Sequence, residues 1–257
     1  MSTTKQKVIV ITGAGSGIGQ ELAWQLSQAG AIVALNDWNA DALATTVAPI
    51  QQQGREVLAE VYDISDRAAV TAFAQQVKDA YGRIDGLINN AGITLYSKTL
   101  LQYEPEDFQQ VLDVNFFGTL HHIQLFLPHL LEQPGAFLVN VSSLFGLVGY
   151  PYQAPYVATK FAVRGITETL RQELAGHDIL VSSVHPGGIN TNLIRNIRHD
   201  DDRQKQRLSR AFEKAAITSP AEAARVIIRG IEKRSNRIVI GKDARWLDIL
   251  ARLLPRR

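Results

Sequence analysis

Apolar residues recur along this chain in two alternating rhythms. Short runs rich in apolar and β-branched residues fall at Val8–Thr12, Ile32–Asn36, Val57–Tyr62, Gly86–Asn89, Ala136–Ser142, Ile179–His185 and Arg237–Ile240. Between them, stretches with helical spacing cover Gly17–Ala29, Ala40–Gln53, Arg67–Tyr81, Pro105–Glu132, Pro155–Ala175 and Pro220–Lys233. The first rhythm predicts strands and the second helices. Several runs (VIVIT, AIVAL, FLVNV, ILVSSV) are apolar at successive positions. A strand reads that way when helices cover both faces of a parallel sheet. Right-handed crossovers then predict an α/β fold, a doubly wound parallel sheet of about seven strands. No linker, repeat or composition break interrupts the pattern, so residues 1–257 read as one domain.

Two segments stand outside the alternation. Thr191–Ser219 is a long, charged insert after the sixth strand, and loops of that length commonly act as lids. Asp243–Pro255 has the spacing of a short amphipathic helix, with Trp246, Leu247, Ile249, Leu250, Leu253 and Leu254 on one side.

Composition narrows the chemistry. There is no cysteine, which excludes disulfides, zinc–thiolate sites, iron–sulfur ligation and cysteine nucleophiles. A net charge of +2, from 27 basic and 25 acidic residues, advertises no nucleic-acid surface. The N-terminal stretch has no leader-like apolar region, and no run approaches the ~20 apolar residues of a spanning helix. The expected compartment is the cytoplasm. The histidines form no HxxxH or three-ligand set, and none is expected to hold a metal.

Gly13, Gly15, Gly17 and Gly19, with Ser16 and Ile18 among them, close the first strand and open the first helix. Such a turn lets a pyrophosphate approach the amides at a helix N-terminus, where the dipole is positive. Asp37 ends the second strand eighteen residues after Gly19, near the spacing of a carboxylate that binds a ribose. Together they predict a Rossmann-type dinucleotide site. Asp37 would accept from both ribose hydroxyls and repel a 2′-phosphate, and neither Ala14–Ser16 nor Trp38–Asn39 supplies a basic clamp. The expected cofactor is NAD rather than NADP. A tight structural turn and a helix-capping role for Asp37 or Asn39 are the alternatives.

Tyr156 and Lys160 are four residues apart, on one helix face. A nearby cation favours the phenolate and brings a tyrosine toward useful proton transfer. Ser143 follows the fifth strand, thirteen residues before Tyr156, where strand ends form a ligand crevice.

With these motifs in order, the chain resembles the short-chain dehydrogenase/reductase family over nearly its whole length. TGxxxGxG is met by Thr12–Gly19, and the family's Asn-Asn-Ala-Gly by Asn89, Asn90, Ala91 and Gly92. Asn115, Ser143, Tyr156 and Lys160 match its catalytic set. Asp63 and Ile64 match its adenine contact, and Pro186, Gly187, Ile189 and Thr191 its nicotinamide carboxamide segment. The resemblance implies that Tyr156 is the general acid/base and that Lys160 lowers its pKa and binds the nicotinamide ribose. It also implies that Ser143 holds the substrate oxygen and that Asn115 holds a water linking Lys160 to solvent.

Leu95, Phe145, Tyr150 and Leu193 are candidate substrate contacts. They favour a secondary alcohol or ketone with bulky apolar groups, although Tyr150 and Tyr152 are equally suited to packing their loop. A 3-oxoacyl-thioester reductase and a non-catalytic dinucleotide-binding scaffold are the alternatives. A homodimer or homotetramer is expected. The C-terminal helix is expected to pack against another subunit or its own core in preference to a membrane surface, where only weak contact is foreseen.

Overall fold

The computed structural model describes residues 4–189 and 218–253. Seven parallel strands form one sheet in the order β3-β2-β1-β4-β5-β6-β7. They are β1 Val8–Thr12, β2 Ile32–Asp37, β3 Val57–Val61, β4 Gly86–Asn89, β5 Ala136–Val141, β6 Ile179–Pro186 and β7 Arg237–Ile240. The chain leaves β1 toward β2 and β3, then returns to the other side of β1 for β4. That reversal opens a crevice at the carboxyl ends of β1 and β4.

The helices are α1 Gly17–Gln28, α2 Ala40–Gln52, α3 Arg67–Tyr81, α4 Pro105–Leu112, α5 Thr119–Leu131, α6 Ala154–Glu173, α7 Pro220–Glu232 and α8 Lys242–Leu253. Side chains of β1 alternate between two cores. Ile9 and Ile11 pack with Leu22, Leu26 and Ile227 of α1 and α7, while Val8 and Val10 pack with Phe73, Val77 and Phe126 of α3 and α5. Burial on both faces explains the unbroken apolar strands. Polar side chains set the ends: Asp66 caps α3 by accepting from Ala68 and Ala69 N–H, and Gly82 closes it in the left-handed region.

The single helix expected over Pro105–Glu132 differs in one respect. Between α4 and α5, Asp113–Gly118 widens into a π-helical turn, the kind of insertion that often marks a functional position. Asn115 sits within it. Among the described residues, no helix is long and apolar enough to cross a membrane.

Candidate active site

The chain leaves β1 through a glycine turn whose backbone dictates its residues. Gly13 and Gly17 take φ of 66° and 58°, a region L side chains rarely adopt. A Cβ on Gly19 would lie 2.1 Å from the Gly13 carbonyl oxygen, so α1 begins hard against the turn. Three hydrogen bonds hold the turn from the β2 and α2 side. Ala14 N–H donates to the Asn36 carbonyl (2.9 Å), the Thr46 hydroxyl donates to the Ala14 carbonyl (2.8 Å), and Gly15 N–H donates to Asp37 Oδ2 (2.8 Å). Asp37 Oδ1 accepts from Asn39 N–H at 3.0 Å. Asn39 caps α2 with its own side chain, so capping does not account for Asp37. A carboxylate offers about four acceptor sites, and these two bonds leave room for ribose hydroxyls. Ser16 is the N-cap of α1 but makes no side-chain bond there. The result is a glycine cradle at a positive helix end with a carboxylate beside it, which fits a dinucleotide.

The end of β4 is tied to this turn. The Thr12 hydroxyl accepts from Asn90 N–H (3.0 Å) and Ala91 N–H (3.1 Å), and the Asn90 amide donates to the Thr12 and Gly13 carbonyls. Asn89 lies opposite Asn140 in the β4–β5 register and donates to its Oδ1 at 2.8 Å. The Asn89 side-chain oxygen is buried with no partner, an orphaned acceptor at the sheet's carboxyl edge. Asp63 is exposed and accepts from Ser65 N–H and Oγ. Ile64 is buried against Gly118, where an added Cβ would come within 2.6 Å of it. Its side chain is therefore engaged with the π-helical turn.

Asn115, Ser143, Tyr156 and Lys160 converge at the ends of β4 and β5. Asn115 is fully buried and clamps Ile93, accepting from its N–H (2.7 Å) and donating to its carbonyl (2.9 Å). Its second amide hydrogen goes to the Thr159 hydroxyl, which in turn donates to the Tyr156 carbonyl. Both donors of the Asn115 side chain are thus spent on protein, and a water on those donors is not accommodated. Ser143 Oγ accepts from Phe145 N–H at 3.1 Å and lies close enough to the Tyr156 phenol to favour its ionised form. Lys160 donates to the Val141 carbonyl at 3.0 Å, and its ammonium lies 5.6 Å from the centre of the Tyr156 ring. A Cβ on Gly92 would stand 3.2 Å from both Lys160 Nζ and Asn115 Oδ1, so Gly92 keeps this junction open.

Electrostatics here differ from the expectation. Tyr156 is half-buried as a residue, but its hydroxyl lies deep among protein atoms. Burial pushes its pKa above the ordinary phenol value, and the Ser143 hydroxyl only partly offsets this. Burial also draws Lys160 down to about 8. The net effect on the phenol is upward because burial outweighs the Ser143 contribution, and Lys160 directs a hydrogen bond to the Val141 carbonyl.

The model of the family described as short chain dehydrogenase matches residues 7–202. The chain belongs to the short-chain dehydrogenase/reductase family. Its relatives include an oxidoreductase of Mycobacterium tuberculosis, SadH, 42% identical over 257 residues and covering 99% of this chain and 93% of that one. The 3-oxoacyl-[acyl-carrier-protein] reductase FabG of Thermotoga maritima is 36% identical over 222 residues, covering 86% and 89%. A short-chain dehydrogenase/reductase from Burkholderia phymatum, solved in complex with NAD, superposes with a TM-score of 0.90 at 29% identity, covering 100% and 98%. This short-chain dehydrogenase is accordingly an oxidoreductase of a family that uses a nicotinamide cofactor.

Other residues singled out from the sequence are placed as follows in this dehydrogenase. Pro186 ends β6, Gly187 N–H donates to the Ile240 carbonyl, and Ile189 pairs with Thr218. Leu95 is half-buried, and the Phe145 ring stacks on Tyr150 at 4.3 Å and meets Tyr156 edge-on at 6.4 Å. Thr191, Leu193 and the insert as far as residue 217 lie outside the described residues. Sequence reasoning missed Gln153, which accepts from the Thr94 hydroxyl and donates to Ser97 Oγ, lashing the loop after β4 to the start of α6. His185, which from the sequence is either solvent-facing or satisfied by the backbone, takes the second role. That imidazole is fully buried, donates from Nδ1 to the Ser143 carbonyl (3.1 Å) and accepts at Nε2 from Ser183 Oγ (3.1 Å). Burial lowers its pKa to about 4, which keeps it neutral. A lone histidine at the end of an apolar strand was the available signal.

Proposed function

We propose that the protein is an NAD-preferring alcohol dehydrogenase or carbonyl reductase for secondary alcohols and ketones that carry bulky apolar groups. The observation that carries this reading is the Tyr156 phenol, set beside Ser143 and walled by the stacked Phe145 and Tyr150 rings. Gly13, Ser16, Gly17, Ile18 and Gly19 would hold the pyrophosphate, with Asp37 on the adenosine ribose and Asp63 and Ile64 at the adenine. Asn89, Ala91 and Gly92 would line the middle of the cofactor, and Pro186, Gly187, Ile189 and Thr191 its carboxamide. When bound, the nicotinamide supplies or accepts the hydride.

Tyr156 Oη manages the proton, giving it to the carbonyl oxygen in reduction and taking it from the hydroxyl in oxidation. Ser143 Oγ uses a lone pair on Phe145 N–H, which leaves its hydrogen for the phenolate or the substrate oxygen. Lys160 places a positive charge where phenolate character develops. Asn115 and Thr159 fix the start of α6, and so the distance between Tyr156 and the end of β4. The residues 1–257 would act as one unit, in a homodimer or homotetramer.

A second reading, reduction of a 3-oxoacyl thioester, is favoured by the relative FabG. Asp37 counts against it to the extent that such reduction draws on NADP. Incubation with NAD and a panel of alcohols, followed by absorbance of reduced cofactor, tests the proposal. Turnover of aryl-alkyl or cyclic secondary alcohols is expected. Turnover confined to 3-hydroxyacyl thioesters with NADP would replace it with the second reading, and no turnover of any alcohol would leave a scaffold.

A further inference from the structure

Near the end of β6 stands an imidazole with both ring nitrogens bonded. His185 is fully buried, with Nδ1 3.1 Å from the Ser143 carbonyl oxygen and Nε2 3.1 Å from Ser183 Oγ. A carbonyl only accepts, so Nδ1 carries the hydrogen. Nε2 of the neutral ring is then the acceptor, and the Ser183 hydroxyl donates to it. Burial, with Arg237 and Arg164 adding to it, lowers the ring's pKa to about 4, although the Ser143 carbonyl and Asp248 act the other way. One tautomer results, neutral and with its hydrogen aimed at Ser143. A buried imidazole gives up its hydration, and these two bonds are what offset that loss.

The bond reaches the part of Ser143 that the sheet leaves untied. β5 ends at Val141, opposite Val184, and the next bond to β6 is Ser142 N–H to the Val184 carbonyl. That bond anchors the residue before Ser143. From Ser143 onward the chain turns away through Leu144–Gly146, and the imidazole takes over as the tie to β6. The strand behind it is a firm reference, because His185 pairs with Val239 and Pro186 with Ile240 of β7. The Ser143 carbonyl also accepts from Gly146 N–H at 3.0 Å, and Phe145 N–H donates to Ser143 Oγ at 3.1 Å. A peptide is planar, so fixing this carbonyl fixes the Ser143–Leu144 link and the start of the turn that holds Oγ.

We propose that His185 is a positioning residue, whose Nδ1–H bond to the Ser143 carbonyl keeps Ser143 Oγ in place beside the Tyr156 phenol. It exchanges no proton with substrate and acts through Ser143 alone. The inference rests on the role given to Ser143 in the function proposed above.

Substitution of His185 in two backgrounds tests it, with an alcohol that the wild type oxidises. His185→Leu fills the space without a donor, and His185→Asn returns an amide N–H close to the place of Nδ1. His185→Leu should lower kcat about tenfold or more with cofactor Kd little changed, and His185→Asn should recover most of that loss. In Ser143→Ala the leucine substitution should lower kcat by no more than about twofold, since the group it positions is gone. An equal loss in both backgrounds would overturn the proposal and make His185 a packing residue. A Ser143→Ala variant as active as wild type would instead remove Ser143 from the proposed function, and this proposal with it. Nitrogen NMR of histidine-labelled wild type needs neither activity nor a folded leucine variant, because His185→Asn also identifies the signal. At about pH 6 the ring should be neutral with its hydrogen on Nδ1. A charged ring, or a hydrogen on Nε2, would overturn the proposal.

Discussion

The Lys160 ammonium lies 5.6 Å from the centre of the Tyr156 ring and gives its hydrogen bond to the Val141 carbonyl. The two groups share a pocket without touching through the phenol oxygen, and burial acts on them in opposite directions. It favours the neutral phenol and the neutral amine alike, raising the pKa of one and lowering that of the other.

The first prediction follows from that opposition. Ketone reduction needs the Tyr156 proton and the Lys160 charge, both present at neutral pH. Its kcat/KM should be level below pH 8 and fall above it, as Lys160 titrates at about 8. Alcohol oxidation needs the phenolate and should rise with pH. Tyr156→Phe should cut kcat by about a hundredfold or more in both directions with the cofactor Kd little changed. Reduction that accelerates above pH 8, or near-normal turnover of the variant, would contradict these roles.

A second prediction concerns stability. An unfolded lysine keeps its proton up to about 10.5, whereas Lys160 in the folded protein loses it at about 8. Between those values the unfolded chain binds more protons, so stability from this group rises with pH across that window. Below it, the buried charge is a standing cost. Lys160→Met should therefore stabilise the protein at pH 7, by on the order of 1 kcal/mol once the lost Val141 hydrogen bond is set against the gain. The advantage should shrink toward pH 10 while activity is lost at every pH. Urea unfolding at the two pH values checks this, and a variant weaker than wild type at pH 7 would refute it.

The strands were legible because burial on both faces leaves an unbroken apolar mark, as in Val8–Ile11. The glycine turn and the Tyr156–Lys160 spacing were legible because backbone geometry and helix pitch demand those residues. What Asn115 does was not. Its clamp on Ile93 spans 22 positions and depends on a π turn, which the apolar spacing of Pro105–Glu132 does not encode. What His185 bonds was hidden for the same reason, since its partner Ser143 follows the neighbouring strand, 42 residues earlier. Helical spacing also revealed that α8 is two-faced without revealing which face turns outward. That depends on Arg237, which draws Asp248 inward.

Asp37 carries the third prediction. Its carboxylate already fixes Gly15 N–H and Asn39 N–H, so it shapes the cradle in addition to the ribose contact proposed for it. Wild type should favour NAD over NADP by well over tenfold in kcat/KM. Asp37→Ala should erode that ratio chiefly by weakening NAD, since both a ribose acceptor and a support of the turn are lost. Asp37→Asn keeps the shape and an acceptor oxygen but removes the charge that repels a 2′-phosphate. It should therefore gain on NADP relative to the alanine variant. Equal use of both cofactors by wild type would refute the assignment.

The last prediction concerns the substrate. Phe145 stacks on Tyr150 with ring centres 4.3 Å apart and planes 15° apart, and presents its edge to Tyr156 at 90°. A planar apolar wall beside the proton donor rewards a substrate that lays a ring or alkyl chain along it. An aromatic pair adds about 0.5–1.5 kcal/mol beyond the area it buries, and burial of a large apolar group adds about 1.5–3. Phe145→Ala should therefore lower kcat/KM for an aryl-alkyl ketone by roughly thirtyfold or more, the equivalent of about 2 kcal/mol upward. A small ketone such as acetone, too short to reach the wall, should change by no more than about threefold. Adding Tyr150→Ala should cost less than its effect alone, because the stack is already broken. If both ketones lose activity equally, Phe145 acts by holding Tyr156 in place, and the wall does not select the substrate.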